Sequence, residues 1–447
     1  MPLPGSFAFH LPIASCITVC VAGSGCLGSP SASSSDAPVT PKGCQVDGGP
    51  PPTTPVRGYY TSGATVCTIG GMPHQFVGVD RPSLEWASGG DNISVDDFRT
   101  MAGWGANVVR IALNQDFWLT DAALYDSTYR STVDQAVRWA EAAQLDVILD
   151  LHWSDAGDLT VTSTAAQGPG NSSQQQMADL NSVQFWREVA DAYKGDGHVL
   201  FELYNEPHGI GWDVWLNGGQ AGRYTAAGMQ QLYDAVRGTG ANNVVIAGGL
   251  DWAYDLSGVA PSGAYVHGYN VMYATHPYLT SGAAPSGWEG SFGHLETTDF
   301  APVIATEFGD GRKGQCTGDY DQQLLSFAGK HNKMSWTAWA WFPATSPGDP
   351  QGCSFPSLIL DWSGTPSVQG VVIKAGLQAY ASSQAPIPAD EGGGDDSGAI
   401  EAADQEGSAD DGGAPPDDAT VDAGSADATS EAPVEALKDA SDASASE

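Results

Sequence analysis

The sequence predicts an α/β protein folded as a (β/α)8 barrel. Three observations predict it. Short apolar runs alternate with helical patterns between residues 58 and 381. That length suits one large barrel domain. No G-x-G-x-x-G follows the first run, which disfavours a doubly wound dinucleotide-binding sheet, the nearest alternative.

Eight runs read as strands. They are Gln75–Val79, Ala106–Leu113, Asp146–Trp153, Val199–Glu206, Asn243–Ala247, Val271–Tyr278, Pro302–Phe308 and Ser335–Phe342. Each is close to continuously apolar, the pattern of a strand buried on both faces. Helical patterns fall between them. Ser131–Leu145 places Val133, Ala136, Val137, Ala140 and Leu145 on one face, with Ser131 as the expected N-cap. Val183–Tyr193, Met229–Val236 and Asp319–Phe327 read similarly, and Val368–Tyr380 closes the series.

The flanks differ in composition. Residues 1–26 contain the apolar stretch Phe7–Gly25 and resemble a secretory segment, although no Lys or Arg precedes Lys42. Ser24-Gly25-Cys26 resembles a lipoprotein cleavage site, with Gly23 where Leu would be expected. Residues 27–56 are Ser-, Pro- and Gly-rich, a linker composition. Residues 57–382 form the expected catalytic domain. Residues 383–447 form an acidic tail with almost no large apolar residues, too poor in burial to offset the entropy of ordering. These features point to an exported protein, released or lipid-anchored at the cell surface.

The net charge is −36, from 17 basic and 53 acidic residues. From Asp390 onward, 18 acidic residues face one lysine, so about half of that excess sits in the tail. No basic patch is available to neutralise phosphates, which excludes a nucleic-acid partner. No uninterrupted apolar stretch downstream of the N-terminal segment approaches the ~20 residues a membrane-spanning helix needs. Of seven cysteines, Cys44, Cys67, Cys316 and Cys353 make an even set outside the N-terminal stretch. Two disulfides fit an exported chain; Cys44–Cys67 with Cys316–Cys353 is the preferred pairing of three possible ones. No C-x-x-C spacing among these four favours a metal site.

The strand ends carry the chemistry. In a barrel, the C-terminal end of each strand faces the active site. Here those ends bear Arg110, Asp150 and His152, Asn205 and Glu206, His276 and Tyr278, Glu307, and Trp341. Unpaired buried polar groups are costly, so this joint occurrence asks for a function. Leu203-Tyr-Asn-Glu-Pro207 and Val303-Ile-Ala-Thr-Glu-Phe-Gly309 each deliver one glutamate, and a carboxylate pair is the tool of glycoside hydrolysis.

Asn-Glu-Pro, followed in order by His-Pro-Tyr, Thr-Glu-Phe-Gly and Trp-Ala-Trp, resembles glycoside hydrolase family 5. This family belongs to the clan with its acid/base on strand four and its nucleophile on strand seven. The resemblance covers residues 58–381, and within the family it is nearest to secreted bacterial cellulases. It implies Glu206 as acid/base and Glu307 as nucleophile. It also implies Arg110, His152, Asn205, His276, Tyr278 and Trp341 as the surrounding substrate-binding set. The activity implied is retaining endo-β-1,4-glucanase action on a β-glucan, by a monomer, with no cofactor and no metal.

The residue chemistry agrees with that reading. Arg110 and the Tyr278 hydroxyl would hold Glu307 ionised. Desolvation and the Glu307 charge would keep Glu206 protonated. Asn205 suits a sugar 2-hydroxyl, and Trp341 would form a flat floor under the reacting sugar. The two carboxyl groups should stand about 5–5.5 Å apart, the retaining separation. Trp86, Trp118, Trp153, Trp212 and Trp252 follow strands one to five and are candidate outer platforms. Phe342 stands where relatives often carry Asn, and the Cys353 loop is distinctive; both bear on substrate preference. The alternatives are the same mechanism on mannan, xyloglucan or mixed-linkage glucan, or a non-catalytic glycan-binding barrel. A metal-dependent hydrolase would need a His-x-His pair on strand one, which is missing.

Overall fold

The computed structural model describes Cys44 and residues 58–164, 170–332 and 334–384. The expected N-terminal segment, the rest of the linker and the tail beyond Gln384 lie outside the described residues.

Among the described residues, eight parallel strands close into a barrel. They are β1 (Val77–Arg81), β2 (Val108–Asn114), β3 (Asp146–Trp153), β4 (Val199–Glu202), β5 (Val245–Gly248), β6 (Val271–Thr275), β7 (Val303–Ala305) and β8 (Ser335–Ala338). Each pairs with its sequence neighbours, and β8 returns to β1 through Trp336–Val77 and Ala338–Val79. The (β/α)8 prediction is therefore met. The strands β4, β6, β7 and β8 stop three or four residues earlier than their apolar runs suggested. The chain continues past the last ladder pair there, and those extensions carry the site.

The outer ring includes α1 (Val95–Gly103), α2 (Tyr129–Ala142), α3 (Leu180–Tyr193), α4 (Met229–Arg237), α5 (Asp319–Lys330) and α6 (Val368–Gln384). Two starts differ from the sequence reading. α2 begins two residues before Ser131, because Tyr129 is fully buried and its hydroxyl donates to Leu84 O at 2.9 Å. Ser131 does not cap; its hydroxyl donates to Thr128 O at 2.7 Å inside the first turn. α3 begins at Leu180 through a capping box, in which Asp179 accepts from the Ser182 amide and the Ser182 hydroxyl accepts from the Asp179 amide.

The barrel interior is layered with period two along each strand. Val108, Ile148, Leu200, Ile246, Met272 and Ile304 form an apolar plug, closed by Phe76 and by Val66 of the N-terminal antiparallel sheet. Two residues further along, the same rows become Arg110, Asp150, Glu202 and Thr306, all fully buried. At Gly78 a Cβ would come within 1.9 Å of Val108 O, so only glycine allows β1 to close against β2.

Both expected disulfides are present. Cys44–Cys67 ties the described linker residue to the N-terminal sheet, and Cys316–Cys353 joins the loops after β7 and β8. No helix among the described residues is long and apolar enough to cross a membrane.

Candidate active site

The polar layer is organised by Arg110. Its guanidinium spends all five N–H donors inside the barrel. Nε donates to Glu202 Oε2 at 2.6 Å. Nη1 donates to Asp80 Oδ1 at 2.9 Å and to Glu307 Oε1 at 2.7 Å. Nη2 donates to Asn205 Oδ1 at 2.6 Å and faces Asp150 Oδ2 at 2.9 Å. Arg110 is wholly buried, so it orients the site from below and has no face left for a sugar.

One cation cannot neutralise four buried carboxyl groups, so protons must stay on some of them. Burial lifts Asp80 well above the ordinary carboxylate range and lifts Asp150 and Glu202 to about 7, against the pull of Arg110.

Above this layer stand the two expected catalytic carboxyls. Glu307 is buried, and its oxygens accept from Arg110 Nη1 at 2.7 Å and from the Tyr278 hydroxyl at 2.7 Å. Burial raises it, while Arg110, His152 and the Tyr278 hydrogen bond pull it back. Arg110 and Tyr278 act on Glu307 in the expected direction, against a larger opposing effect of burial. Glu206 keeps 17% of its side chain exposed and its Oε1 lies 3.0 Å from His276 Nδ1. Burial, then the Glu307 charge, pushes Glu206 well above the usual range, further than its partner. The partners differ: two fixed donors face Glu307 and one imidazole faces Glu206.

The two histidines are neutral. Burial lowers His152 to about 3 and His276 well below its ordinary value. His152 Nδ1 meets Asp150 Oδ2 at 2.6 Å, and its Nε2 lies 3.3 Å from Asn205 Nδ2. Asn205 Nδ2 also donates to Gln174 Oε1 at 2.8 Å, so Gln174 joins the shell from the loop before α3. One atom each from Glu206, His276 and Glu307 lies within 4.8 Å of the others, a spacing a cation could also use. Those atoms already engage one another, Arg110 and Tyr278.

Seven of the eight sequence-predicted side chains, all but Trp341, converge here. Trp341 is fully buried, packs at 4.7 Å against Trp104, and donates its indole N–H to Asp97 Oδ1 at 2.6 Å. It belongs to the barrel–helix core and cannot floor a sugar. The indole that borders the site is Trp339, two residues earlier, stacked on His152 with ring centres 5.6 Å apart and planes 15° apart. The peptide between Trp339 and Ala340 is cis.

Trp118 is also core, 3% exposed against Phe185 and Tyr129. Trp86 and Trp153 are partly exposed and 6.3 Å apart, and Phe342 and Phe355 extend this aromatic wall from the loop after β8. Trp252 stacks on His208 at 3.5 Å, and His208 Nδ1 lies 2.8 Å from the Glu206 carbonyl. Trp212 packs at 5.1 Å on Trp215. Asp80, Glu202, Thr306 and Gln174 went unread in the sequence. A charge inside an apolar run, as in Val199-Leu-Phe-Glu202, was the available signal for Glu202, since a buried charge needs a partner.

A family model for cellulase, glycosyl hydrolase family 5, matches residues 65–345. Endoglucanase C of Evansella cellulosilytica is 27% identical over 300 residues, covering 62% of this chain and 34% of that protein. Cellulase CelDZ1 of a Thermoanaerobacterium species is 25% identical over 285 residues, covering 60% of this chain and 66% of that protein. The chain thus spans less than two thirds of the length of these relatives. Among solved structures, the beta-glucanase SdGluc5_26A from Saccharophagus degradans in complex with cellotetraose superposes with a TM-score of 0.55 at 23% identity. The match covers 73% of this chain and 95% of that one. That likeness is one of fold.

Proposed function

The chain belongs to glycosyl hydrolase family 5, and from that premise we propose that it is a retaining endo-β-1,4-glucanase acting by double displacement. The observation that carries this is the proximity of Glu206 and Glu307: an oxygen of each lies within 4.8 Å of the other. That proximity favours the retaining separation of about 5–5.5 Å over the inverting one of about 6.5–9.5 Å.

In the first step Glu307 attacks the anomeric carbon while Glu206 gives its proton to the departing glycosidic oxygen. The result is a glycosyl–Glu307 ester and a Glu206 carboxylate. In the second step that carboxylate takes a proton from water, whose oxygen displaces Glu307. Asn205 borders the nucleophile side through Arg110, where a 2-hydroxyl would sit. Trp339, with Trp86, Trp153, Phe342 and Phe355 beyond it, offers flat apolar surface for a chain of glucose rings. The names of the relatives support a β-1,4-glucan as the polymer.

The test is a soluble cellulose derivative assayed with wild type and Glu307→Gln. Wild type should cut viscosity faster than it releases reducing ends and should yield β-configured product first. The variant should lose about 10⁴-fold or more in rate. Equal rates, or α-configured first product, would overturn the proposal.

We further propose that the enzyme works as a monomer outside the cytoplasm. Two disulfides favour an oxidising compartment. Recovery of the active protein only from the cytosol, with free thiols, would refute the location, and a dimer mass by light scattering would refute the monomer.

A further inference from the structure

Beneath the two glutamates runs a chain of hydrogen bonds that the double displacement does not itself use. Glu202 lies in β4, four residues before Glu206. Its Oε2 accepts from Arg110 Nε at 2.6 Å and its Oε1 accepts from the Thr306 hydroxyl at 2.7 Å. Thr306 Oγ1 lies 2.9 Å from His276 Nε2, and His276 Nδ1 lies 3.0 Å from Glu206 Oε1. Arg110, Glu202, Thr306 and His276 are each at most 1% exposed, which leaves no room for water to replace any link.

The polarity of this chain follows from one end. Arg110 can only donate. Its Nε–H makes Glu202 Oε2 an acceptor, and once Glu202 is ionised, as it is on the alkaline side where the test is read, its carboxylate draws the Thr306 proton to Oε1. A hydroxyl that has given its single proton can only accept from His276, so Nε2 must carry the imidazole proton. His276 is neutral, because burial, Arg110 and His152 all oppose its charge. Its Nδ1 is then a bare lone pair. The carboxyl oxygen 3.0 Å away meets it favourably only by donating. After the first chemical step the ionised Glu206 faces that same lone pair, which strengthens it as the base for water.

We propose that Glu202 and Thr306 are positioning residues that set the tautomer of His276 and thereby hold the proton on Glu206. The inference rests on the acid/base role assigned to Glu206 above. The charged and titratable groups facing Glu206 and His276 are Asp80 from β1, Arg110 from β2, Asp150 and His152 from β3, and Glu202 from β4. Tyr278 and Glu307 complete the set beyond β6 and β7.

The test reads the alkaline limb of kcat/KM, which falls when Glu206 loses its proton. Thr306→Val keeps the shape but removes the link, so His276 Nδ1–H becomes able to donate to a Glu206 carboxylate. Glu202→Gln reverses the chain: Arg110 claims the amide oxygen, the NH₂ donates to Thr306, and the hydroxyl proton turns to His276 Nε2. Both variants should move the alkaline limb down by about one pH unit, the effect of one well-placed hydrogen bond. Thr306→Ser should restore the wild-type limb.

Long-range ¹⁵N–¹H spectra should place the His276 proton on Nε2 in wild type and on Nδ1 in Glu202→Gln, whether or not the variant turns over. Rates lowered evenly across pH with both limbs in place, or a wild-type Nδ1–H, would overturn the relay. A wild type inert on β-glucan, or a fully active Glu206→Gln, would instead overturn the acid/base reading.

Discussion

Glu206 and Glu307 are the same residue type, at the ends of strands three apart in the barrel, and burial pushes both in the same direction. Their neighbours separate them. Glu307 is held by two groups that give protons and hold their own, the guanidinium of Arg110 and the phenol of Tyr278, both at 2.7 Å. Glu206 is held by one neutral imidazole at 3.0 Å, which can either give or take. Fixed donors stabilise a carboxylate; an imidazole lone pair stabilises a carboxylic acid. The proposed division of labour between nucleophile and acid therefore rests on the partners, and the desolvation common to both magnifies it.

The comparison breaks most directly at Tyr278. Tyr278→Phe removes one of the two donors on Glu307 and leaves the ring. A hydrogen bond to a charged group contributes about 1.5–3 kcal/mol, so kcat/KM should fall about 10- to 100-fold. The sign of the pH effect is set by which form the bond favours. The hydroxyl stabilises ionised Glu307, so its loss raises that pKa, and the acid limb of kcat/KM should move to higher pH. An acid limb that stays in place would mean that Arg110 alone keeps Glu307 ionised. The alkaline limb belongs to Glu206 and should hold its position.

A smaller effect sharpens the contrast between rim and core. Trp339→Ala removes the indole stacked on His152 and should lower kcat/KM about tenfold with little change in melting temperature, in line with the loss of a well-oriented ring contact of about 1.5 kcal/mol. Trp341→Ala empties a site between β8 and α1 and should cost about 3–5 kcal/mol of stability. Glucanase rates and melting curves on both variants decide it. A Trp341 variant that melts like wild type but binds glucan poorly would return the floor to Trp341.

That pair of tryptophans also marks how far the sequence could be read. Trp339 and Trp341 are two apart, and an ideal strand would turn both to one face. The ladder ends at Ala338, and beyond it alternation no longer says which indole faces the sugar and which meets Asp97. The strands themselves were legible because burial on both faces leaves continuous apolar runs. The candidate catalytic residues were legible because Asn-Glu-Pro and Thr-Glu-Phe-Gly stand at two of those runs' ends. Glu202 and Thr306 were not. Each sits inside a run, and only the closed barrel brings residues 104 positions apart into a 2.7 Å contact. Helix starts failed for a local reason: Tyr129 enters α2 to bury its ring, a tertiary gain that outweighs the cap expected of Ser131.

The smallest expected effect concerns the whole set of buried carboxyls. Burial lifts Asp116, Asp150, Asp179 and Glu202 to about 7 in the folded chain. Unfolded, such groups titrate near 4. Above about pH 6.5 the folded state therefore holds protons that the unfolded state has already lost, and stability must fall as pH rises. Below that pH the buried His152, His208 and His276 act the other way. Their folded pKa values are depressed, so the unfolded chain binds the extra protons there. The two groups of residues oppose each other in the acid range and part company above it. The melting temperature should decline between about pH 6.5 and 8, and Asp116→Asn, which removes one of these titrating carboxyls, should flatten the decline. A melting temperature that climbs across this interval would mean the carboxyls are ionised and paired, and Arg110 would then be neutralising more of the polar layer than its five donors allow.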